Sequence, residues 1–156
     1  MTKTLIVYGS TTGNTQTLAS FLDEGLSNKG HEVTLLDASN AVPENICQGY
    51  DLILFGCSAW GEEDIVLQDD FESFFQQFHT MGIAGKACAS FATGDASFSH
   101  FCGSADMIER RFEELGGHII MDALKIEGSP SPNDKEVTSW IDELAAAYQK
   151  EAAKAA

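Results

Sequence analysis

With 156 residues and 44% hydrophobic side chains, the chain is long enough to bury a full core in one domain. Its 24 acids against 9 lysines and arginines give a net charge of −15, which argues against nucleic acid and anionic membrane surfaces and for a basic protein partner. No apolar run reaches the length of a membrane span, and the first one stops at Gly9, too short for a signal-peptide core. The expected compartment is therefore the cytoplasm. Cys47, Cys57, Cys88 and Cys102 have no C-x-x-C pair and no zinc spacing, and are read as reduced thiols.

The elements alternate. A strand is expected over Lys3–Tyr8, then a helix from Asn14 to Lys29 with Gly30 past its end, then a strand over Glu32–Leu36. Residues 37–40 read as a loop and 42–46 as a turn or 3₁₀ segment. Leu52–Cys57 is a continuous apolar run, which suits a parallel strand buried on both faces. Asp69 and Asp70 suit the start of a second helix, whose apolar face is Phe71, Phe74, Phe75 and Phe78. A fourth strand spans Lys86–Thr93, and a third helix spans Ser104–Leu115, ended by Gly116–Gly117. The fifth strand covers Ile119–Ile126, with a break expected near Asp122. Asn133 with Glu136 reads as a capping box for a last helix through Val137, Trp140, Ile141, Leu144 and Tyr148. Residues 1–150 are expected to form one domain, and 151–156 a frayed tail.

Repeated β-α units imply an α/β three-layer sandwich around a five-stranded parallel sheet, in the order 2-1-3-4-5. Ligands of such sheets sit outside the carboxyl ends of the strands, at the switch point between strands one and three. Three unusual loops follow strands one, three and four, so they meet at that edge. The first, Gly9-Ser10-Thr11-Thr12-Gly13-Asn14-Thr15, joins a strand to a helix and aims backbone N–H groups, hydroxyls and an amide at one point. It has no Gly-Lys-Ser/Thr ending, no third glycine of a dinucleotide fingerprint, and no cysteine–arginine pair. What remains is a lysine-free cradle for a terminal phosphate. The second loop carries Trp60 and the third Phe98, two aromatics suited to a flat heteroaromatic ring.

Ser10-Thr11-Thr12-Gly13-Asn14-Thr15 resembles the phosphate-binding signature of flavodoxins, small electron carriers holding flavin mononucleotide (FMN). Gly56-Cys57-Ser58-Ala59-Trp60-Gly61 is similar to the family's second flavin loop, with Trp60 as stacking partner. Gly94-Asp95-Ala96-Ser97-Phe98, with Phe101-Cys102-Gly103, resembles the third. The family usually carries tyrosine where Phe98 stands here; phenylalanine keeps the stack and loses the hydroxyl. A short, uninterrupted fifth strand looks like the short-chain class, especially that of sulfate-reducing bacteria. The resemblance covers nearly the whole chain. It implies a flavodoxin-like fold and a cofactor site of Ser10, Thr11, Thr12, Gly13, Asn14, Thr15, Ser58, Ala59, Trp60, Gly61, Thr93, Gly94, Asp95, Phe98, Phe101 and Cys102. It further implies a low-potential one-electron carrier, not an enzyme, that shuttles FMN between semiquinone and hydroquinone; the chain is expected to be a monomer.

Two features bear on that redox role. A flavin that takes one electron and one proton gains an N–H at N5, and a buried donor without a partner costs about 1–3 kcal/mol. Rotation of the Gly61–Glu62 peptide would supply a carbonyl, and glycine tolerates the positive φ this needs. Glu62, Glu63, Asp64 and Asp95 lie near the expected ring edge, where they would repel a second electron and steer basic redox partners. A phosphoacceptor domain is rejected, because Gly9-Ser10 and Cys57-Ser58 stand where its acids belong. A nicotinamide-dependent flavin reductase and a flavin store are the remaining alternatives; no nicotinamide motif is visible. His31, His79, His100 and His118 are dispersed and form no catalytic or metal cluster.

Overall fold

A computed structural model describes residues 1–11, 13–60, 65–97 and 101–155, with Trp60 and Ala155 described by backbone alone. The run Lys3–Gly9 is β1, buried from Thr4 onward because it has a strand on each side and helices on both faces. α1 (Asn14–Asn28) follows. It ends in a Schellman motif: Gly30, at φ 93°, donates to Ser27 O and His31 N donates to Leu26 O. β2 (Glu32–Asp37) leads into a 3₁₀ turn at Ala38–Asn40. The Asp37 carboxylate accepts the Ser39 amide at 2.9 Å there, and the turn expected over 42–46 is closed by Ile46 N donating to Pro43 O at 3.1 Å. β3 (Leu52–Cys57) is buried throughout. β4 (Ala59–Trp60) and β5 (Val66–Leu67) then pair antiparallel as a small ribbon outside the main sheet. α2 (Asp69–Phe75), β6 (Ala87–Gly94), α3 (Gly103–Glu114), β7 (His118–Ile119), β8 (Leu124–Glu127) and α4 (Lys135–Ala155) complete the described elements.

The sheet runs β2-β1-β3-β6, with β7 and β8 both pairing with β6, and every ladder is parallel. This is the flavodoxin-like order, with the fifth strand in two pieces. The uninterrupted fifth strand is thus corrected, and the break near Asp122 is present. Residues 120–123 leave the ladder, and Trp140 Nε1 donates to Asp122 O at 2.7 Å, which ties the break to α4. The register sets Val7 opposite Leu36 and Phe55.

One face of the sheet is covered by α1 and α4. Leu18, Leu22, Leu26, Ile141 and Leu144 pack on Ile6, Leu54 and Phe91. The other face is covered by α2 and α3, with Phe71, Phe74, Phe78 and Phe112 closing on Phe55 at ring-centroid distances of 5.1–5.3 Å for Phe74, Phe78 and Phe112. Each such buried side chain contributes about 1.5–3 kcal/mol relative to exposure. The cap of α4 is Asp134, not Asn133: its Oδ1 accepts the Glu136 amide at 2.9 Å, while the Asn133 amide turns back to Ser131 Oγ. No helix of the described residues is long and apolar enough to cross a membrane.

Candidate functional site

The carboxyl ends of β1, β3 and β6 lie side by side, so the segments that follow them share one edge of the sheet. The first begins at Gly9, whose carbonyl accepts the Ser58 amide at 3.3 Å and so joins the first segment to the second. Ser10 Oγ accepts the Gly13 amide at 3.0 Å and closes the turn. Gly13, at φ 97°, is the N-cap of α1 and has no side chain with which to cap it. α1 also has no acid in its first turn, whereas α2, α3 and α4 each carry at least one. Its N-terminus therefore keeps its positive end unneutralised.

Thr15 is fully buried, and its Oγ1 lies 2.7 Å from Thr93 Oγ1 at the end of β6. Asn14 Oδ1 accepts from Ser129 Oγ at 3.0 Å. Thr11 is exposed. In the second segment Ser58 and Ala59 are half-buried, and Ser58 Oγ is shut off from solvent with no hydrogen-bond partner among the described residues. Beneath it, Ser104 Oγ donates to Cys57 O at 2.7 Å and brings the start of α3 against the end of β3.

In the third segment Gly94 packs on Cys102; a Cβ there would lie 3.2 Å from the Cys102 sulfur. Asp95 is exposed, and the Ser97 amide and hydroxyl hold its carboxyl below the usual carboxylate range. Phe101 is half-buried against Ala92, Cys102 and Ala105. Cys102 stands at φ 51° as the N-cap of α3, with its thiol buried and directed at Ile126 O, 3.9 Å away. Burial pushes that thiol up to about 11. Its side chain faces the protein, so only its backbone is available to a ligand.

Ser10, Thr11, Gly13, Asn14, Thr15, Ser58, Ala59, Thr93, Gly94, Asp95, Phe101 and Cys102 thus fall on the three segments, as the sequence reading expects. Thr12, Gly61 and Phe98 lie outside the described residues, as do Glu62, Glu63, Asp64 and the Trp60 side chain. Three further residues were not anticipated. Ser129 brings a fourth segment, the one after β8, onto Asn14; Gly128 N donating to Gly94 O at 2.9 Å ties that segment to the third as well. Gln68 is buried beside Gly9, donates its amide to Ser58 O at 3.0 Å, and caps α2 by accepting Phe71 N at 3.0 Å. Ser104 is the third. Only Gln68 leaves a sequence signal, a polar residue just ahead of an acid-rich helix start.

The flavodoxin family profile matches residues 6–140. The chain is 42% identical over 147 residues to a flavodoxin of Nitratidesulfovibrio vulgaris (strain Miyazaki F), covering 94% of this chain and 99% of that one. It is 44% identical over 140 residues to a flavodoxin of Maridesulfovibrio salexigens, covering 90% and 94%. Among solved structures, oxidised flavodoxin 1 of Bacillus cereus superposes with a TM-score of 0.82 at 25% identity, over 96% of this chain and 98% of that one.

Proposed function

The chain belongs to the flavodoxin family, and on that premise we propose how its own residues hold FMN and suit it to low-potential electron transfer. It is an FMN-binding electron carrier, not an enzyme, and its partners are redox proteins. When bound, the flavin supplies one-electron chemistry between its half-reduced and fully reduced forms.

The observation that carries the site assignment is an uncapped, acid-free N-terminus of α1 together with the buried Ser58 hydroxyl, unpartnered among the described residues, on a segment whose Ser58 amide is bonded to Gly9 O at the start of the first. A buried hydroxyl without a partner costs about 1–3 kcal/mol, and an acceptor arriving in the cradle removes that cost. A phosphate supplies several acceptor oxygens and suits the helix N-terminus. In this reading Ser10, Thr11, Thr12, Gly13, Asn14 and Thr15, with Ser58, hold the phosphate. Ala59, Trp60, Gly61, Gly94, Asp95, Phe98, Phe101 and Cys102 flank the ring, Cys102 through its backbone, while Thr93 belongs to the site through its bond to Thr15. With no side-chain cap at Gly13, the first amides of α1 can face the anion, while the Gly13 amide itself is held by Ser10 Oγ. No cation is needed, and none of the described site residues is basic.

We further propose that the carrier is a monomer of the cytoplasm that docks on basic patches of its partners. The net charge of −15 supports the docking, and four buried cysteines, none in a disulfide, support a reducing compartment. The site assignment is tested by titrating apoprotein with FMN and with riboflavin. FMN is expected to bind more tightly by at least about tenfold, the worth of one charge-assisted hydrogen bond. Equal affinities would overturn the cradle.

A further inference from the structure

Thr15 and Thr93 lie 78 residues apart in sequence, yet their hydroxyl oxygens are 2.7 Å apart. Thr15 is 0% exposed and Thr93 4%. A hydroxyl has one hydrogen to donate. In this bond one threonine spends its hydrogen and the other keeps an unspent one. No other hydrogen bond of either side chain occurs among the described residues. Among the described residues the unspent hydrogen has no acceptor.

The two ways of placing the hydrogens are not equivalent. If Thr15 donates to Thr93, the surplus hydrogen belongs to Thr93, near the end of β6 before the third segment, with no acceptor among the described residues. If Thr93 donates to Thr15, the surplus hydrogen belongs to Thr15. Thr15 is the second residue of α1, within the turn whose amides converge at the helix N-terminus. An anion there accepts it. A hydroxyl that already accepts a bond is also polarised into a better donor.

We propose that Thr93 is a positioning residue of the phosphate cradle: its hydroxyl donates to Thr15 and thereby turns the Thr15 hydrogen toward the phosphate. Thr93 then acts through Thr15 and makes no contact with the ring. This rests on the phosphate reading of the first segment. It also explains why a hydroxyl is useful at the end of β6, where the neighbouring Ala92 and Phe91 are apolar.

The test uses apoprotein titrated with FMN and with riboflavin, for the wild type, Thr93→Val and Thr93→Ser. Valine keeps the shape and loses the donor; serine keeps the donor. Thr93→Val is expected to weaken FMN binding about tenfold and riboflavin binding by less than about twofold, and Thr93→Ser to restore FMN binding. The phosphorus resonance of bound FMN is expected to shift in Thr93→Val and return in Thr93→Ser. Equal losses for both ligands, or an unchanged FMN affinity, would overturn the proposal. If the wild type itself does not prefer FMN, the phosphate reading falls and this inference with it. If the wild type prefers FMN and Thr93→Val keeps the full preference, the inference alone falls. Should Thr93→Val not fold, Thr93→Cys carries the comparison; its weakly donating thiol is expected to cost FMN about threefold, and no selective loss would count against the proposal.

Discussion

Replacing Gly9 by alanine tests how tightly the start of the cradle is held. The new Cβ would lie 2.5 Å from Gln68 Oε1, 2.7 Å from Phe71 Cβ and 3.4 Å from Cys57 Cβ. Neither of the nearest atoms yields cheaply. Gln68 Oε1 accepts the Phe71 amide at 3.0 Å, and its Nε2 donates to Asp70 at 3.1 Å. Phe71 Cβ is set by its backbone, and the ring is 0% exposed, packed against Phe74 and Phe78. Overpacking a core costs about 1–3 kcal/mol. Displacing the α2 cap adds about 1 kcal/mol. The sum, about 2–4 kcal/mol, corresponds to a fall in Tm of about 10 °C for a chain of this size. Thermal unfolding of the apoprotein, followed by circular dichroism, measures it. In a Gln68→Ala background the worst clash is gone, so Gly9→Ala should cost about 1 kcal/mol less there. A wild-type Tm for Gly9→Ala, or strict additivity in the double variant, would refute the reasoning.

Stability should fall at alkaline pH. Burial pushes Cys47 and Cys57 up to about 12 and Cys102 up to about 11, and raises Cys88 as well. The unfolded chain sheds these protons near the ordinary thiol value of about 8.5, while the folded chain keeps them. The stability they carry is therefore full below about pH 8 and is lost as pH rises, by up to about 1.4 kcal/mol per unit for each thiol. Urea unfolding under reducing conditions should show midpoints that fall from about pH 8 to about pH 10, and a flat profile contradicts the burial of these thiols. The net charge of −15 predicts that reduction of a basic c-type cytochrome by the reduced carrier slows as salt rises; a rate indifferent to salt removes the steering argument. Gly61→Ala is expected to lower the stability of the half-reduced flavin about fivefold, through about 1 kcal/mol of strain at positive φ, read at its long-wavelength absorbance; an unchanged yield rejects the peptide rotation.

Periodicity made the strands and helices legible because burial decides them. Leu52–Cys57 is an unbroken apolar run because both faces of β3 are covered. The three segments were legible as a site because parallel strands carry their loops to one edge. What escaped depends on contacts distant in sequence. The split of the fifth strand goes with the Trp140 indole bonding Asp122 O, 18 residues away. Ser129 meets Asn14 across 115 residues, and no local pattern marks that pairing. The choice of Asp134 over Asn133 as cap turns on a register of one residue, which the shared chemistry of the two side chains leaves open. Cys102 sits in the motif that resembles a flavin loop, and only the fold shows that its thiol turns inward to Ile126, which leaves its backbone to face a ligand.

The central claim is tested most directly by a redox titration of the FMN-loaded protein followed by absorbance. Two separate one-electron steps are predicted. The half-reduced form should accumulate between them, and repulsion from the acidic surface should lower the second potential by on the order of 100 mV. A single two-electron step at the potential of unbound FMN, with no intermediate band, would contradict the account.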